Sequence, residues 1–279
     1  MKEYLDLVKL VMNEGSRKPS RTGIDTISYF GAFYKVDLSK GFPLLTTKKM
    51  EWKSLLYEVL WYLSGDNHIR NLQKHTKIWD AWADEEGNLE TAYGYFWRHF
   101  PSAEKDDNGK WNVKEVDQIK YVINEIKKNP YSRRLVVSAW EPGNATKSKL
   151  PPCHYSFAFH VNDGKLNCHL TQRSGDIALG IPFNLAAYSM LTQIIAQEVN
   201  LKLGFFAHTI VDAHIYVADK GTPNEKYDHL KGLKEQLLRE PLQLPQLKIA
   251  KKPIDELQYD DFELLFYHHH DKIRFEVAV

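Results

Sequence analysis

Two stretches of this chain are apolar almost all round, and they restrict the fold more than any other feature. Residues 54–66, SLLYEVLWYLSGD, carry Leu, Val, Trp and Tyr on every side before reaching Gly65. Residues 184–200 are a second long, mostly apolar segment. A helix without a polar face has no side to give to water, so both belong inside a core. Gly65 is the expected stop, because glycine takes the left-handed conformation that closes a helix. A chain of 279 residues, 43% hydrophobic, is long enough to enclose them.

Around these segments the periodicity alternates between helix and strand. Leu5, Val8 and Met12 predict an amphipathic helix over 4–12, and Val116, Ile119, Val122, Ile123 and Ile126 predict a surface helix over 113–129. A β-branched run covers 134–140. HYSFAFHVNDGKLNCHLTQRS reads as two strands joined at Asn162-Asp163-Gly164. Short strands are expected near 205–216, 244–249, 262–267 and 273–277, with surface loops at 101–114 and 220–228. No repeat or linker divides the chain. The expectation is one α+β domain over 1–279, with a large mixed β-sheet, a long buried helix and surrounding helices.

Composition removes several function classes. Lys and Arg number 37 against 36 Asp and Glu, a net charge of +1, which does not suit a protein that coats nucleic acid or anionic membrane. No segment approaches a bilayer-spanning apolar run. The N-terminal MKEYLDLVKLVMNEG mixes charge through its apolar positions, unlike a secretory signal. Two cysteines do not make a disulfide scaffold. A cytoplasmic protein is expected. G-x-G-x-x-G, Walker A and H-E-x-x-H are all missing. PPCHYSF places Ser156 where a zinc deaminase needs its second cysteine. His268, His269 and His270, read as a strand, would alternate between faces and could not share one ion, so no metal is expected.

Cys153 follows Pro151-Pro152, which stiffen the backbone entering a strand, and could mount a nucleophile; an inert buried thiol is the plainer reading. Cys168, between Leu166 and Leu170, suits the inert reading. A reactive thiolate needs positive charge, which Arg133, Arg134 and Arg173 could supply. Arg21, the Arg133-Arg134 pair and Arg173 with Ser174 also suit a phosphate, although arginines are usually solvated surface. Glu58 is a lone acid on an apolar helix. Burial would raise its pKa toward the range useful for moving protons at neutral pH.

With these residues in view, the chain resembles the folate-dependent thymidylate synthases along nearly its whole length. The matching blocks include SRTGIDTISYFG, GFPLLTTKK, LLYEVLWYLSGD, IWDAWADEEG, AYGYFWRHF, NPYSRRLVVSAW, LPPCHYSFAFHV, QRSGDIALGIPFN and DAHIY. Such enzymes methylate dUMP to dTMP with 5,10-methylenetetrahydrofolate as carbon and hydride donor. The resemblance implies Cys153 as the nucleophile at uracil C6. It implies Arg21, Arg173 and Ser174 on the phosphate, joined by Arg133 and Arg134 from the other subunit of a sheet-mediated homodimer. Glu58, Tyr93 and His154 would serve the proton network. Gln172 and Asn184 would face the base, where an amide that donates to O4 and accepts from N3–H favours uracil over cytosine. His214 and Tyr216 would bind the deoxyribose. Ile78, Trp79, Trp82, Asp176, Leu179, Gly180 and Phe183 would form the folate slot. Asp176 and Trp79 would also take part in catalysis, Trp79 by shielding the reacting centre from water, and Ala278-Val279 would close over the complex.

Three positions depart from the family pattern: Glu51 in place of a histidine, Glu141 in place of Asn, and Val211 in place of Gly. They bear on folate affinity and loop geometry. The competing readings are a dUMP hydroxymethylase on the same fold and a silent nucleotide- or RNA-binding relative. Trp79 and the C-terminal closure favour methylation over hydroxymethylation. The intact set Cys153, Glu58, Tyr93, His154 and Asn184 disfavours a silent relative. A cysteine hydrolase is set aside because His154, as the adjacent strand residue, would face away from the thiol.

Overall fold

In the computed structural model, which describes residues 1–90, 92–145 and 147–278, the N-terminal apolar stripe forms α1 (Lys2–Glu14) and buries Tyr4, Leu5, Leu7, Val8 and Val11. Strands β1 (Ser16–Lys18) and β2 (Thr26–Asp37) follow. The first all-round apolar segment is α2 (Trp52–Ser64), closed by Gly65 at φ 72°. Then come α3 (Tyr93–Arg98), β3 (Phe100–Lys105), β4 (Trp111–Val116) and α4 (Gln118–Lys128). Strand β5 (Val136–Ser138), the short α5 (Pro142–Ala145), β6 (Ser156–Asn162) and β7 (Lys165–Asp176) lead to the second apolar segment, α6 (Gly180–Glu198). Strand β8 (Lys202–Tyr216), α7 (Leu230–Leu237), β9 (Gln246–Ile249) and β10 (Phe262–Leu265) complete the order.

The main sheet runs β1-β2-β8-β7-β6-β5. Its neighbours are antiparallel except β7 and β8, which are parallel. Parallel neighbours need a crossover, and α6 is that crossover. It buries 13 of its 19 residues, which is why its sequence has no polar face. The inner face of the sheet carries Ala32, Tyr34 and Val36 from β2, Leu166, Cys168 and Leu170 from β7, and Phe206, His208 and Ile210 from β8. Cys168 is therefore a core thiol. The outer face leaves Phe33 58% and Phe205 37% exposed, with Lys35 Nζ 3.9 Å above the Phe205 ring. The parallel pair brings Asp176 beside His214 at the carboxyl ends of β7 and β8. That edge of a parallel pair, next to the start of the crossover helix, is where such sheets form ligand crevices.

Several expectations need correction. Residues 101–114 are not a loop: they form the β3–β4 hairpin, with Asp106 accepting from the backbone of Asn108 and Lys110 and Gly109 at φ 77° in the turn. Glycine marks its tip, but charge runs through the strands as well, with Glu104 and Lys105 in β3 and Lys114 and Glu115 in β4 beside Trp111, Val113 and Val116. The helix expected over 113–129 consequently starts at Gln118, where Asp117 caps it by accepting from Lys120 N. Strand 134–140 shortens to β5. Residues 273–277 form no strand because no neighbouring strand is there to pair; Phe275 packs instead on the His229 ring. His268, His269 and His270 also lie outside any strand, so the alternation argument does not apply to them. Among the described residues no three potential ligands gather to hold a metal. The hairpin at Asn162 is as expected, a two-residue turn with Asp163 and Gly164 at φ 50° and 67°. The long strand β2 went unforeseen. No described helix is long and apolar enough to cross a membrane.

Candidate active site

A cleft of about 700 Å³ opens at the carboxyl ends of β7 and β8. Strand β7 contributes Gln172, Arg173, Ser174 and Asp176, and β8 contributes His214 and Tyr216. The start of the crossover contributes Leu179, Gly180, Phe183 and Asn184. Helix α2 brings Glu58, α3 brings Tyr93, and the preceding loop brings Ile78, Trp79 and Trp82. Arg21, Cys153, His154 and Ala278 complete the expected residues that it gathers. Arg133 and Arg134 are exposed and do not line it. Val279 lies outside the described residues. Glu51, Glu141 and Val211 are also off the cleft; Glu51 pairs with Lys272 at 2.7 Å.

Cys153 sits in a bend just before β6, not on the strand itself. Its backbone is fixed at both ends: its N–H donates to Tyr93 Oη at 2.7 Å, and its carbonyl accepts from Arg173 N at 2.8 Å. The Arg173 guanidinium donates to the carbonyls of Pro152 (2.9 Å) and Pro151 (2.6 Å), which carries Nη2 to 3.6 Å from Cys153 Sγ. Pro151-Pro152 thus do more than stiffen the chain; their carbonyls aim the cation at the thiol. Burial pushes the Cys153 thiol up, while Arg173, then Arg21 and the Tyr93 hydroxyl, pull it back. The loop that carries Arg21 is tied at its base by Arg17, which donates to Asp25 (2.8 Å) and Asp219 (2.9 Å).

Glu58 faces the cleft and is otherwise enclosed. Burial pushes its carboxyl up to about 7, opposed by hydrogen bonds from Trp79 and Tyr62. Trp79 Nε1 donates to Glu58 Oε1 at 2.8 Å. Tyr62, one helical turn after Glu58 on α2, was not foreseen, although the i, i+4 spacing puts both on one face. His154 does not face away from the site: its ring stacks on Tyr93 at 3.6 Å and 8°, and Nδ1 bonds Tyr188 Oη at 2.7 Å. Burial drives its pKa down to about 3, so the ring is neutral. No described bond joins it to Cys153 as a base would require, so the hydrolase reading fails here on geometry, although not for the strand reason.

Asn184 donates from Nδ2 to Gln172 Oε1 at 3.0 Å, and Gln172 Nε2 donates to the Ser174 carbonyl at 2.8 Å. This side-chain amide pair forms one wall of the cleft. Asp212, also unforeseen, shares the face of β8 that bears His214 and Tyr216, since residues two apart on a strand point the same way. It accepts from Lys18 and Ser28, each at 2.6 Å.

At the other end, Asp176 Oδ1 accepts from Ala178 N (2.8 Å) and Leu179 N (3.3 Å). Burial works against its charge, but His229, His214 and the Ala178 N–H outweigh that and hold its carboxyl below the usual range. His229 Nδ1 lies 3.7 Å away, too far for a good hydrogen bond, and is a buried nitrogen without a partner. Its Nε2 bonds the Glu276 carbonyl at 2.9 Å, tying down the segment that places Ala278 in the cleft. Lys48 Nζ, buried below, donates to the Ala178 carbonyl at 2.6 Å, and burial lowers its pKa to about 8. Ile78, Trp79, Trp82, Leu179 and Phe183 make an apolar slot that ends at this carboxylate. A flat heterocycle with hydrogen-bonding edges, such as the pterin of a folate, fits that donor and wall set.

The family model described as "Thymidylate synthase" matches residues 2–279. A protein named "Thymidylate synthase" from Haloferax volcanii is 48% identical over an alignment of 326 residues, covering 98% of this chain and 95% of that relative. The match spans the sheet, the crossover helix and every wall of the cleft, and this chain belongs to the thymidylate synthase family.

Proposed function

We propose that the chain, acting as one domain over 1–279, converts dUMP to dTMP by reductive methylation with 5,10-methylenetetrahydrofolate, releasing dihydrofolate. The observation that supports this most is the Cys153 thiol beside Arg173, opening into the same cleft as the Asn184–Gln172 pair and Glu58. Sγ of Cys153, as thiolate, adds to uracil C6; the C5=C6 electrons shift toward O4 and make C5 a carbon nucleophile. Arg173 and Arg21 offset the burial that disfavours the thiolate. Asn184 holds O4 and N3–H. Glu58, titrating near neutrality, exchanges protons at O4 and near C5, with Tyr93 and His154 shaping its surroundings. When bound, the folate supplies the one-carbon unit and the hydride. Loss of the C5 hydrogen as a proton and departure of Cys153 from C6 restore the ring double bond. Trp79 and Ala278 keep water from the reacting centre, and Asp176 anchors the pterin in the slot. No step calls for a metal.

Arg21, Arg173 and Ser174 hold the phosphate, and His214 with Tyr216 holds the sugar. Arg133 and Arg134 reach the phosphate of a second copy. A homodimer formed through the outer face of the sheet would bury Phe33 and Phe205 and bring those arginines to the neighbouring cleft. The working compartment in this reading is the cytoplasm. The test is a product assay with dUMP and methylenetetrahydrofolate, nucleotide and folate both identified by mass. dTMP with dihydrofolate is expected. Hydroxymethyl-dUMP with tetrahydrofolate would replace methyl transfer by hydroxymethylation, and dUMP binding without product would make the chain a silent binder.

A further inference from the structure

A carboxamide is a poor judge of pyrimidines until something fixes its orientation. One way round, it accepts from N3–H and donates to O4 of uracil; turned by half a rotation, it donates to N3 and accepts from the 4-amino group of cytosine. If Asn184 reads the base, as proposed above, its discrimination therefore rests on what prevents the flip.

The donors and acceptors behind Asn184 permit one assignment. The Ser174 carbonyl can only accept, so the Gln172 group 2.8 Å from it is the amide nitrogen. Gln172 Oε1 is then the atom facing both Asn184 and His208, each at 3.0 Å. An amide oxygen only accepts, so His208 must carry its hydrogen on Nε2. Its Nδ1 is left as a lone pair, and Tyr34 Oη, 2.9 Å away, must donate to it. Asn184 must likewise present Nδ2–H to Gln172, which leaves its second N–H beside Oδ1, the pattern that uracil matches. The flipped amide would set Oδ1 against Gln172 Oε1, acceptor against acceptor.

This chain of bonds crosses three adjacent strands. Tyr34 on β2 and His208 on β8 are directly opposite in register, and Gln172 follows on β7. His208 is fully buried, so no water can replace either bond. We propose that Tyr34 and His208 are positioning residues for pyrimidine specificity: they hold the amide of Gln172 in one orientation, and through it present Asn184 to uracil. Neither lines the cleft. Burial pushes His208 down to about 3, so it stays neutral with a single N–H to place.

The test measures dissociation constants for dUMP and dCMP in the wild type and in Asn184→Asp, His208→Leu, His208→Gln and Tyr34→Phe. It is paired with the ¹⁵N shifts of the His208 ring, assigned by their loss in His208→Gln. The wild type is expected to show Nε2–H. His208→Leu should lower the dUMP-over-dCMP preference about tenfold, since a buried acceptor loses a donor. His208→Gln, which can return an N–H to that place, should recover most of it. Tyr34→Phe should lower the preference less and keep the Nε2–H tautomer, because Nδ1 loses its donor while Nε2–H still bonds Gln172 Oε1. An Nδ1–H tautomer in the wild type overturns the proposal whether or not the variants fold. So does an unchanged preference in folded His208→Leu or Tyr34→Phe while Asn184→Asp relaxes it. If Asn184→Asp leaves the preference intact as well, the reading of Asn184 fails first and takes this inference with it.

Discussion

Replacing Glu58 with Gln should stabilise the folded protein at alkaline pH while disabling it. Burial raises the carboxyl from its ordinary 4.5 to about 7. Between these values the folded chain keeps a proton that the unfolded chain has released. The folded state therefore binds more protons, and stability falls as pH rises from about 4.5 to about 7, then levels. At 1.36 kcal/mol per unit, a shift of that size is worth about 3 kcal/mol. Gln keeps an acceptor for Trp79 Nε1 and carries no charge at any pH. The variant should match the wild type below pH 4.5 and exceed it by about 3 kcal/mol above pH 7, a melting gain of roughly 5 °C for a chain this long. Urea melts from pH 4 to 9, with protein concentration fixed in case a dimer contributes, give the difference curve directly. Turnover should fall by roughly a hundredfold or more, because the group that exchanges protons is gone. A difference curve flat across the whole range would mean that Glu58 ionises like a surface acid, and its assignment as a neutral-pH proton carrier would go with it.

Other perturbations probe separate parts of the site. Cys153→Ala should abolish dTMP formation yet leave dUMP binding measurable by titration; turnover at the wild-type rate would remove the nucleophile assignment. Mixing Cys153→Ala subunits with subunits carrying Arg133→Ala and Arg134→Ala should restore activity to about a quarter of wild type, because one site in each mixed dimer is complete; no recovery in demonstrably mixed dimers would place the arginines outside the partner's site. Gly94→Ala should destabilise the fold by about 2–3 kcal/mol in chemical denaturation, since a Cβ there would overlap the Tyr62 backbone where α3 meets α2. Wild-type stability in that variant would mean that the two helices can separate without cost.

What the sequence disclosed depended on whether a residue's partners were near it in the chain. The all-round apolar runs of α2 and α6, the Asp163-Gly164 turn and the unusual acid at 58 are local signals, and each reappears in the structure. The cleft residues came from whole-chain resemblance; spacing alone could not have brought Cys153 to Arg173 or Trp79 to Glu58. Strand β2 stayed hidden because its inward Ala32, Tyr34 and Val36 alternate with an outward Phe33, so both faces read as apolar. The β3–β4 hairpin was masked by charge in both its strands and its turn. His208 and His229 lie in no matching block, and Lys48, although inside GFPLLTTKK, carries no local sign of its role. Their meaning lies in strand register and in contacts made by segments far away in sequence, which come together only on folding.

The pairing of β2 with β8 has a cost in time. Thr26 lies opposite Tyr216, so roughly three quarters of the chain must be in hand before β2 finds β8. Loop closure over such a span is slow, and contacts this distant lengthen folding. On a ribosome, β2 must wait through the synthesis of α2, the hairpin and the crossover helix, the edge that faces β8 unpaired and its inward Ala32, Tyr34 and Val36 uncovered. Nascent chains of this protein should therefore lean on chaperones until β8 emerges. Mutations that weaken the β2–β8 register should show first as poor yield, well before they alter the properties of the molecules that do mature.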